Sequence, residues 1–129
     1  MTFYLSKKSL SILDTVNPPL QEVTQLAIKK SRVDFGVICG VRTMAEQQAL
    51  VDSGASKTMK SKHLEGNAVD VMAYVGSRGS WEITLYDDIA DAFKAAAVEL
   101  DIGIRWGAAW HIPDIREWFE PMQAATDNY

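Results

Sequence analysis

Two side chains of metal-ligating type, His63 and Asp70, lie seven positions apart in the middle of the chain. Asp70 falls in an alternating apolar run that predicts a strand, and a carboxylate there is costly unless it is paired or binds a metal. Gly66 lets the intervening backbone turn, and Ala68 is a small neighbour on the Asp70 face. A converging imidazole and carboxylate suit a catalytic zinc, which takes three protein ligands and one water. The alternative is a surface histidine and a carboxylate bonded to backbone amides, because this spacing is common by chance.

The counts of histidine and cysteine limit the kind of metal site that the chain can hold. His63 and His111 are its two histidines, so a three-histidine site is impossible and a site with two histidines and a carboxylate needs both. Cys39 is the single cysteine, which excludes an intrachain disulfide and a cysteine-type zinc finger. We interpret Cys39 as a small core residue of a strand, since no neighbour in sequence would activate its thiol.

Hydrophobic periodicity and capping residues predict the elements that must position these side chains. Helices are predicted over 17–30, from the capping box Thr43-x-x-Glu46 to about residue 53, from a cap at Thr84 to about residue 100, and from Pro113 to about residue 122. Strands are predicted over 33–39, 68–75 and 104–106, a long loop over 54–66, and a turn over 78–80. Three short strands are few for a doubly wound fold, so we expect an α+β fold with helices packed on one antiparallel or mixed sheet.

Composition excludes several classes of protein. The 129 residues are 47% apolar and 23% charged, which is typical of a single globular domain over residues 1–129 and too apolar for disorder. The sequence has no apolar run of about eighteen residues and no signal peptide, so we expect a chain made in the cytoplasm without stable membrane insertion. Its net charge of −4 argues against nucleic acid as the main partner. The lysines at 57, 60 and 62 either meet an anionic substrate or form a solvated loop.

The stretch from Ser61 to Asp70 is far more specific than the spacing of its two metal-ligating residues. It matches S-x-H-x-x-G-x-A-x-D and resembles the zinc motif of the peptidoglycan peptidases that include D-Ala-D-Ala carboxypeptidases and phage L-alanyl-D-glutamate endopeptidases. Other segments resemble elements of the same family, namely GVRT at 40–43, Gln47, GASKT at 54–58, IRWG at 104–107 and FYLS at 3–6. The resemblance extends from about residue 3 to about residue 110.

The resemblance implies a fold, a cofactor and an activity. The fold is the small α+β fold that DD-peptidases share with the Hedgehog signalling domain, and the cofactor is zinc, held by His63 and Asp70. Arg42 would stabilise the oxyanion of the tetrahedral intermediate, with a structural salt bridge as the alternative. Ser61 and Gln47 would support the site or bind substrate; a simple loop serine is the alternative for Ser61. The implied enzyme is a monomeric phage or prophage endolysin that hydrolyses the peptidoglycan stem peptide, with the L-Ala–D-Glu bond preferred, after release through a separate membrane pore.

The sequence departs from the family pattern in the segment that should supply the last zinc ligand and the general base. Family members end the site with an acid-x-x-His segment, whereas residues 106–111 read WGAAWH and no acid-x-x-His pair follows Asp70. The third zinc ligand and the general base are therefore unassigned. Three explanations are open: the closing segment is missing from this chain, which we favour; His111 replaces the ligand, with Asp114 or another acid as the base; or the chain is an inactive wall-binding or interaction module. We expect weak zinc binding and weak peptidoglycan cleavage.

Overall fold

A computed structural model describes residues 2–129, which form five α-helices and one three-stranded sheet. In chain order the elements are α1 Lys7–Leu13, α2 Pro18–Lys30, β1 Asp34–Cys39, α3 Met44–Asp52, β2 Asp70–Val75, β3 Arg78–Ser80, α4 Ile83–Leu100 and α5 Met122–Asp127. Short 3₁₀ turns lie at Lys62–Glu65, Gly107–Ala109 and Ile115–Glu117. The predicted α+β class is confirmed. In this part of the chain, every helix is too short or too polar to cross a membrane.

The sheet is antiparallel throughout, with β2 as its central strand between β1 and β3. Val37 of β1 lies opposite Val71 of β2, but an irregularity follows, so that Cys39 lies opposite Asp70. Bulges of this kind re-aim side chains at the end of a strand pair. The register therefore brings Cys39 and Asp70 together at one end of the sheet.

Helix α1 covers the outer edge of β1. The hydroxyl of Ser9, which is buried in α1, accepts a hydrogen bond from the backbone N–H of Val37 at 3.0 Å. This bond satisfies a donor that an edge strand would otherwise leave without a protein partner. Leu13 and Val16 pack with Val37 in a small apolar cluster. The sequence pattern does not predict α1, because its seven residues are too few to show a clear helical period.

The main core lies between the sheet and the helices α2 and α4. Its buried members include Val23 and Ala27 of α2, Phe35 and Ala73 of the sheet, and Ile89 and Phe93 of α4. The ring of Phe93 lies 5.5 Å from that of Phe35 and 5.7 Å from that of Trp106, between ring centroids. Burial of each such large side chain contributes about 1.5–3 kcal/mol. The core thus packs against β1 and β2 and brings the segment around Trp106 into contact with the same cluster.

Two predicted elements in the second half of the chain, and the predicted capping residue of a third, are wrong. Residues 78–80 form β3 rather than a turn, because a two-residue turn with Gly76 at φ 64° joins them to β2 as a hairpin. Residues 104–106 form no strand in the described part of the chain, since no ladder partner lies beside them. Helix α4 has Glu82, not Thr84, at its N-cap, without a side-chain capping bond.

The last helix also begins later than the sequence pattern predicts. After Pro113 the chain makes a single 3₁₀ turn, and α5 starts only at Met122. The carboxylate of Asp114 accepts hydrogen bonds from the backbone and the guanidinium of Arg116, which stabilises the turn in place of a longer helix. Pro121 then separates the two elements, because a proline cannot donate within a helix but is well suited to precede one.

Candidate active site

His63 and Asp70 lie side by side, as their spacing predicts. Nε2 of His63 is 3.4 Å from Oδ1 of Asp70. His63 belongs to the 3₁₀ turn over 62–65, and Asp70 is the first residue of β2 rather than a mid-strand residue. Gly66 ends the turn in the left-handed conformation at φ 73°, which favours glycine. A Cβ atom at this position would lie only 3.3 Å from the Asn17 side chain, so packing also favours glycine.

The ring of His63 is buried and held in one orientation. Its Nδ1 atom lies 2.8 Å from the carbonyl oxygen of Gly40. Because a carbonyl oxygen only accepts, Nδ1 carries a proton and donates it. Metal-ligating histidines are oriented by bonds of this kind, which leave the other nitrogen free for the metal. Here that nitrogen is Nε2, which faces Asp70.

The spacing of the two facing atoms fits a zinc ion. Nε2 of His63 lies 3.4 Å from Oδ1 of Asp70, a separation that either a shared proton or a metal cation between the two atoms would bridge. Two nitrogen or oxygen ligands of a tetrahedral zinc, with bonds of about 2.0 Å, lie about 3.3 Å apart. The donor set therefore suits the metal that the sequence motif implies.

Arg42 binds the other oxygen of the same carboxylate. Its Nη2 atom donates to Oδ2 of Asp70 at 3.1 Å, and its Nη1 atom donates to Gln47 at 3.1 Å and to Ser61 at 3.4 Å. The Ser61 hydroxyl also accepts a bond from the backbone N–H of His63 at 3.2 Å. The structure thus brings together all five predicted site residues. The salt bridge that the sequence left open for Arg42 is present.

The pKa of Asp70 is lowered from its ordinary value, although its environment acts in both directions. Burial raises the pKa, but hydrogen bonding and positive charge from His63 and Arg42 outweigh that effect. The side chain is still 46% exposed, so solvent and substrate can reach it. Asp70 is therefore ionised at neutral pH, which is the state that a metal ligand requires.

Gln47 joins Arg42 to the loop that precedes His63. It is completely buried in α3. Its Oε1 atom accepts the bond from Arg42, while Nε2 donates to the Ser56 hydroxyl at 2.9 Å and to the Thr58 carbonyl at 2.6 Å. The start of α3 is held by the predicted capping box, in which Thr43 and the glutamate three residues later bond reciprocally. Both ends of the amide therefore bond to protein groups, and the side chain is closed off from solvent.

Cys39 is a neighbour of His63 and Asp70 that the sequence pattern does not reveal. Its thiol lies 3.8 Å from Nδ1 of His63, and ligand atoms of Cys39, His63 and Asp70 all lie within 4.8 Å of one another. Cys39 is partly exposed rather than buried in the core, as its place in an alternating strand had suggested. Alternation predicts the strand but not its register, and only the register places Cys39 opposite Asp70.

His111 is not a member of this group of ligating side chains within residues 2–129. Its ring stacks on that of Tyr129, with centroids 5.4 Å apart.

A groove of about 1290 Å³ opens beside His63 and Asp70. Its lining includes five aromatic residues and two lysines, Trp81, Tyr86, Phe93, Trp106, Trp110, Lys60 and Lys62. The groove can therefore accept an extended ligand with both apolar and anionic groups.

Known proteins resemble this chain in sequence and in fold. Residues 1–117 match the family described as phage L-alanyl-D-glutamate peptidase. The L-alanyl-D-glutamate peptidase of Escherichia phage T5 is 35% identical over 115 residues, which are 86% of this chain and 84% of that protein. The L-alanyl-D-glutamate peptidase of Listeria phage A118 is 40% identical over 117 residues, 85% of this chain but 39% of that protein. The crystal structure of the Serratia marcescens L-Ala D-Glu endopeptidase ChiX superimposes with a TM-score of 0.80 at 39% identity, over 88% of this chain and 86% of that one.

Proposed function

The chain belongs to the phage L-alanyl-D-glutamate peptidase family, and from this premise we propose that it hydrolyses the L-Ala–D-Glu bond of the peptidoglycan stem peptide with a zinc ion held by His63 and Asp70. The observation that carries the proposal is the approach of Nε2 of His63 to Oδ1 of Asp70, which lie 3.4 Å apart. The activity named for the relatives supplies the substrate. The structural match at 39% identity supports the same assignment.

The residues around the pair prepare it for this chemistry. When bound, zinc would polarise the scissile carbonyl and lower the pKa of a water molecule toward ~7. The Gly40 carbonyl holds a proton of His63 on Nδ1, so that Nε2 is the ring nitrogen that a metal would use. Arg42 orients Asp70 through Oδ2 and helps to keep it ionised. The same guanidinium places a fixed positive charge beside the site, where it would stabilise the negative charge that develops on the scissile oxygen.

The groove supports a peptide with acidic groups as the substrate. Lys60 and Lys62 line it near His63, and Trp81 and Trp110 supply apolar surface. Stem peptides carry carboxylates along their length, which the lysines complement in charge. We expect the chain to act as a monomer on the cell wall, after release through a separate membrane pore.

The test is an identification of the bond that is cut. Purified peptidoglycan sacculi are incubated with the chain and zinc, and the new termini are identified by mass spectrometry. We expect new amino termini on D-Glu and new carboxyl termini on L-Ala, both lost with a chelator and restored by zinc. Release of free D-alanine alone would contradict the proposed bond and assign a carboxypeptidase specificity.

Two histidine variants provide a matched pair for this assay. His63→Ala should abolish cleavage, because it removes a ligand atom from the proposed site. His111→Ala removes the same side-chain type outside the group of ligating residues and should leave cleavage unchanged. Loss of cleavage in His111→Ala, with the fold retained, would instead assign His111 as the third ligand.

A catalytically inactive wall-binding module is the second candidate function. It is favoured by the sequence after Asp70, which contains no acid-x-x-His pair. In that case the chain would cosediment with sacculi without releasing new termini, and His63→Ala would cosediment equally well. Zinc-dependent release of termini, even at a low rate, would exclude this candidate.

A further inference from the structure

An exposed tryptophan lines the groove beside the proposed metal site. Trp81 directly follows β3, and its side chain is 70% exposed although it borders the groove. Its ring lies parallel to that of Tyr86, with 8° between the planes and 6.0 Å between the centroids. One face of the Trp81 ring therefore packs on protein, and the rest is open to a ligand in the groove.

The position of this ring is fixed before any ligand binds. The hydroxyl of Tyr86 donates to the carbonyl oxygen of Ser80 at 2.7 Å and accepts from the backbone N–H of Ala73 at 3.1 Å. Ala73 and Ser80 are partners in the ladder between β2 and β3. The aromatic stack is thus held against two paired strands. A ring that is already ordered loses little entropy when a ligand covers it.

The distance from Trp81 to Asp70 matches the distance from the scissile bond to the glycan. Ser80 lies opposite Ala73, three residues along β2 from Asp70, so Trp81 leaves the sheet about 10 Å from Asp70. In peptidoglycan the amino group of L-Ala is joined through a lactyl group to a pyranose ring. L-Ala and the lactyl group are each about as long as one residue and span about 7 Å, which puts the centre of the sugar about 10 Å from the scissile carbonyl.

The order of the strands also separates the two halves of such a substrate. The turn that carries His63 bonds to the residue after β1, and Lys60 and Lys62 line the groove from the same segment. Trp81 follows β3, on the other side of β2. Asp70 begins the central strand between them. An extended stem peptide that crosses Asp70 can therefore place its carboxylates beside the lysines and its sugar beside Trp81.

We propose that Trp81 forms a glycan subsite, in which the open face of its indole packs against the C–H groups of the muramyl sugar that carries the stem peptide. This inference rests on the proposed function and extends it, because the enzyme would then select peptides that are still attached to the glycan. The negative face of an aromatic ring attracts the slightly positive C–H groups of a pyranose. Trp81 binds the sugar and takes no part in breaking the bond.

Binding is measured on the full chain with zinc and again with a chelator, because the glycan contact should not depend on the metal. The probes are N-acetylmuramyl-L-alanine and, as the sugar-free control, N-acetyl-L-alanine. Indole N–H signals in NMR spectra report binding, and Trp81→Phe identifies the Trp81 signal among the four tryptophans. We expect only the muramyl probe to shift this signal, and its dissociation constant to rise at least about fivefold in Trp81→Ala. Phe119→Ala removes a 98% exposed aromatic side chain outside the groove lining and should keep the wild-type constant.

Cleavage gives a second readout. The chain with zinc is offered a muramyl peptide and the same peptide with an acetyl group in place of the sugar, and the ratio of the two kcat/KM values is measured. We expect a ratio of at least about five in the wild type and in Phe119→Ala, and a ratio near one in Trp81→Ala, with the change in KM.

Two results would overturn the glycan subsite. One is a Trp81 signal that the muramyl probe does not shift, and the other is a kcat/KM ratio that Trp81→Ala leaves unchanged, since a structural role would reduce cleavage of both peptides equally. Failure of the proposed peptidase function has a different signature. In that case neither peptide is cleaved, while the muramyl probe still shifts the Trp81 signal and the subsite is supported.

Discussion

Replacement of Gln47 by alanine tests whether the interior of the site is held by one buried amide. Gln47 is fully buried and makes three hydrogen bonds, to Arg42, Ser56 and Thr58. Its removal disconnects α3 from the loop over 54–60 and leaves Arg42 with fewer fixed partners. We therefore expect a loss of stability together with weaker positioning of Asp70.

The magnitude follows from the three bonds. A neutral hydrogen bond contributes about 0.5–1.5 kcal/mol net, and a bond to a charged group contributes about 1.5–3 kcal/mol. Ser56 and Thr58 lie near the surface, where water can replace part of what is lost, and Arg42 keeps its bonds to Ser61 and Asp70. The expected destabilisation is therefore near the low end, about 3 kcal/mol.

The neighbouring glutamine offers a matched control. Gln48 lies on the exposed face of the same helix and makes one bond, to Asp52 at 2.8 Å. Gln48→Ala should change the free energy of unfolding by no more than about 0.5 kcal/mol. Both variants are measured by urea denaturation in the presence of a chelator, with equal m-values as the check on two-state behaviour. A difference between them of less than about 1 kcal/mol would refute the reasoning.

A charge variant separates the two halves of the Gln47 network. Gln47→Glu keeps an oxygen for Arg42 but places a second carboxylate oxygen against the Thr58 carbonyl, which accepts a bond from Nε2 in the wild type. The loop over 54–60 should then be released while Arg42 stays held. Faster amide exchange or proteolysis in this loop, without loss of zinc affinity, is the expected result. Equal loss of zinc affinity in Gln47→Ala and Gln47→Glu would contradict it.

Three further variants test local features of the chain. Thr43→Ala removes the capping box with Glu46 and should cost about 1 kcal/mol in thermal or urea unfolding. Gly66→Ala forces a Cβ atom into a left-handed conformation at φ 73° and should cost about 1–2 kcal/mol, with weaker zinc binding by calorimetry. Hydrogen bonding to Arg116 is the main cause that lowers the pKa of Asp114 from its ordinary value of 3.8. This carboxylate therefore stabilises the folded state above pH 3.8, and the stabilisation is lost as the pH falls through its lower folded-state pKa. Unfolding free energy measured against pH should therefore fall less on acidification in Asp114→Asn than in the wild type.

Local sequence was enough to predict the residues of the proposed metal site. The ten residues from Ser61 to Asp70 contain the turn, the left-handed glycine and the start of the strand, so the approach of His63 to Asp70 depends on short-range geometry. The capping box of α3 is equally local, since its two partners lie three residues apart. Interactions of this kind can be predicted because few backbone conformations join residues so close in sequence.

Pairing between distant segments was decided only in the tertiary structure. A strand period of two predicts which residues share a face but not which residue lies opposite which, so the sequence did not reveal Cys39 beside Asp70. The strand predicted over 104–106 failed for the same reason, because a strand requires a ladder partner as well as apolar residues. The approach of His63 to Asp70 was therefore determined by local sequence. The position of Cys39 beside this pair depends on the register between β1 and β2, which long-range packing and one irregularity in β1 determine.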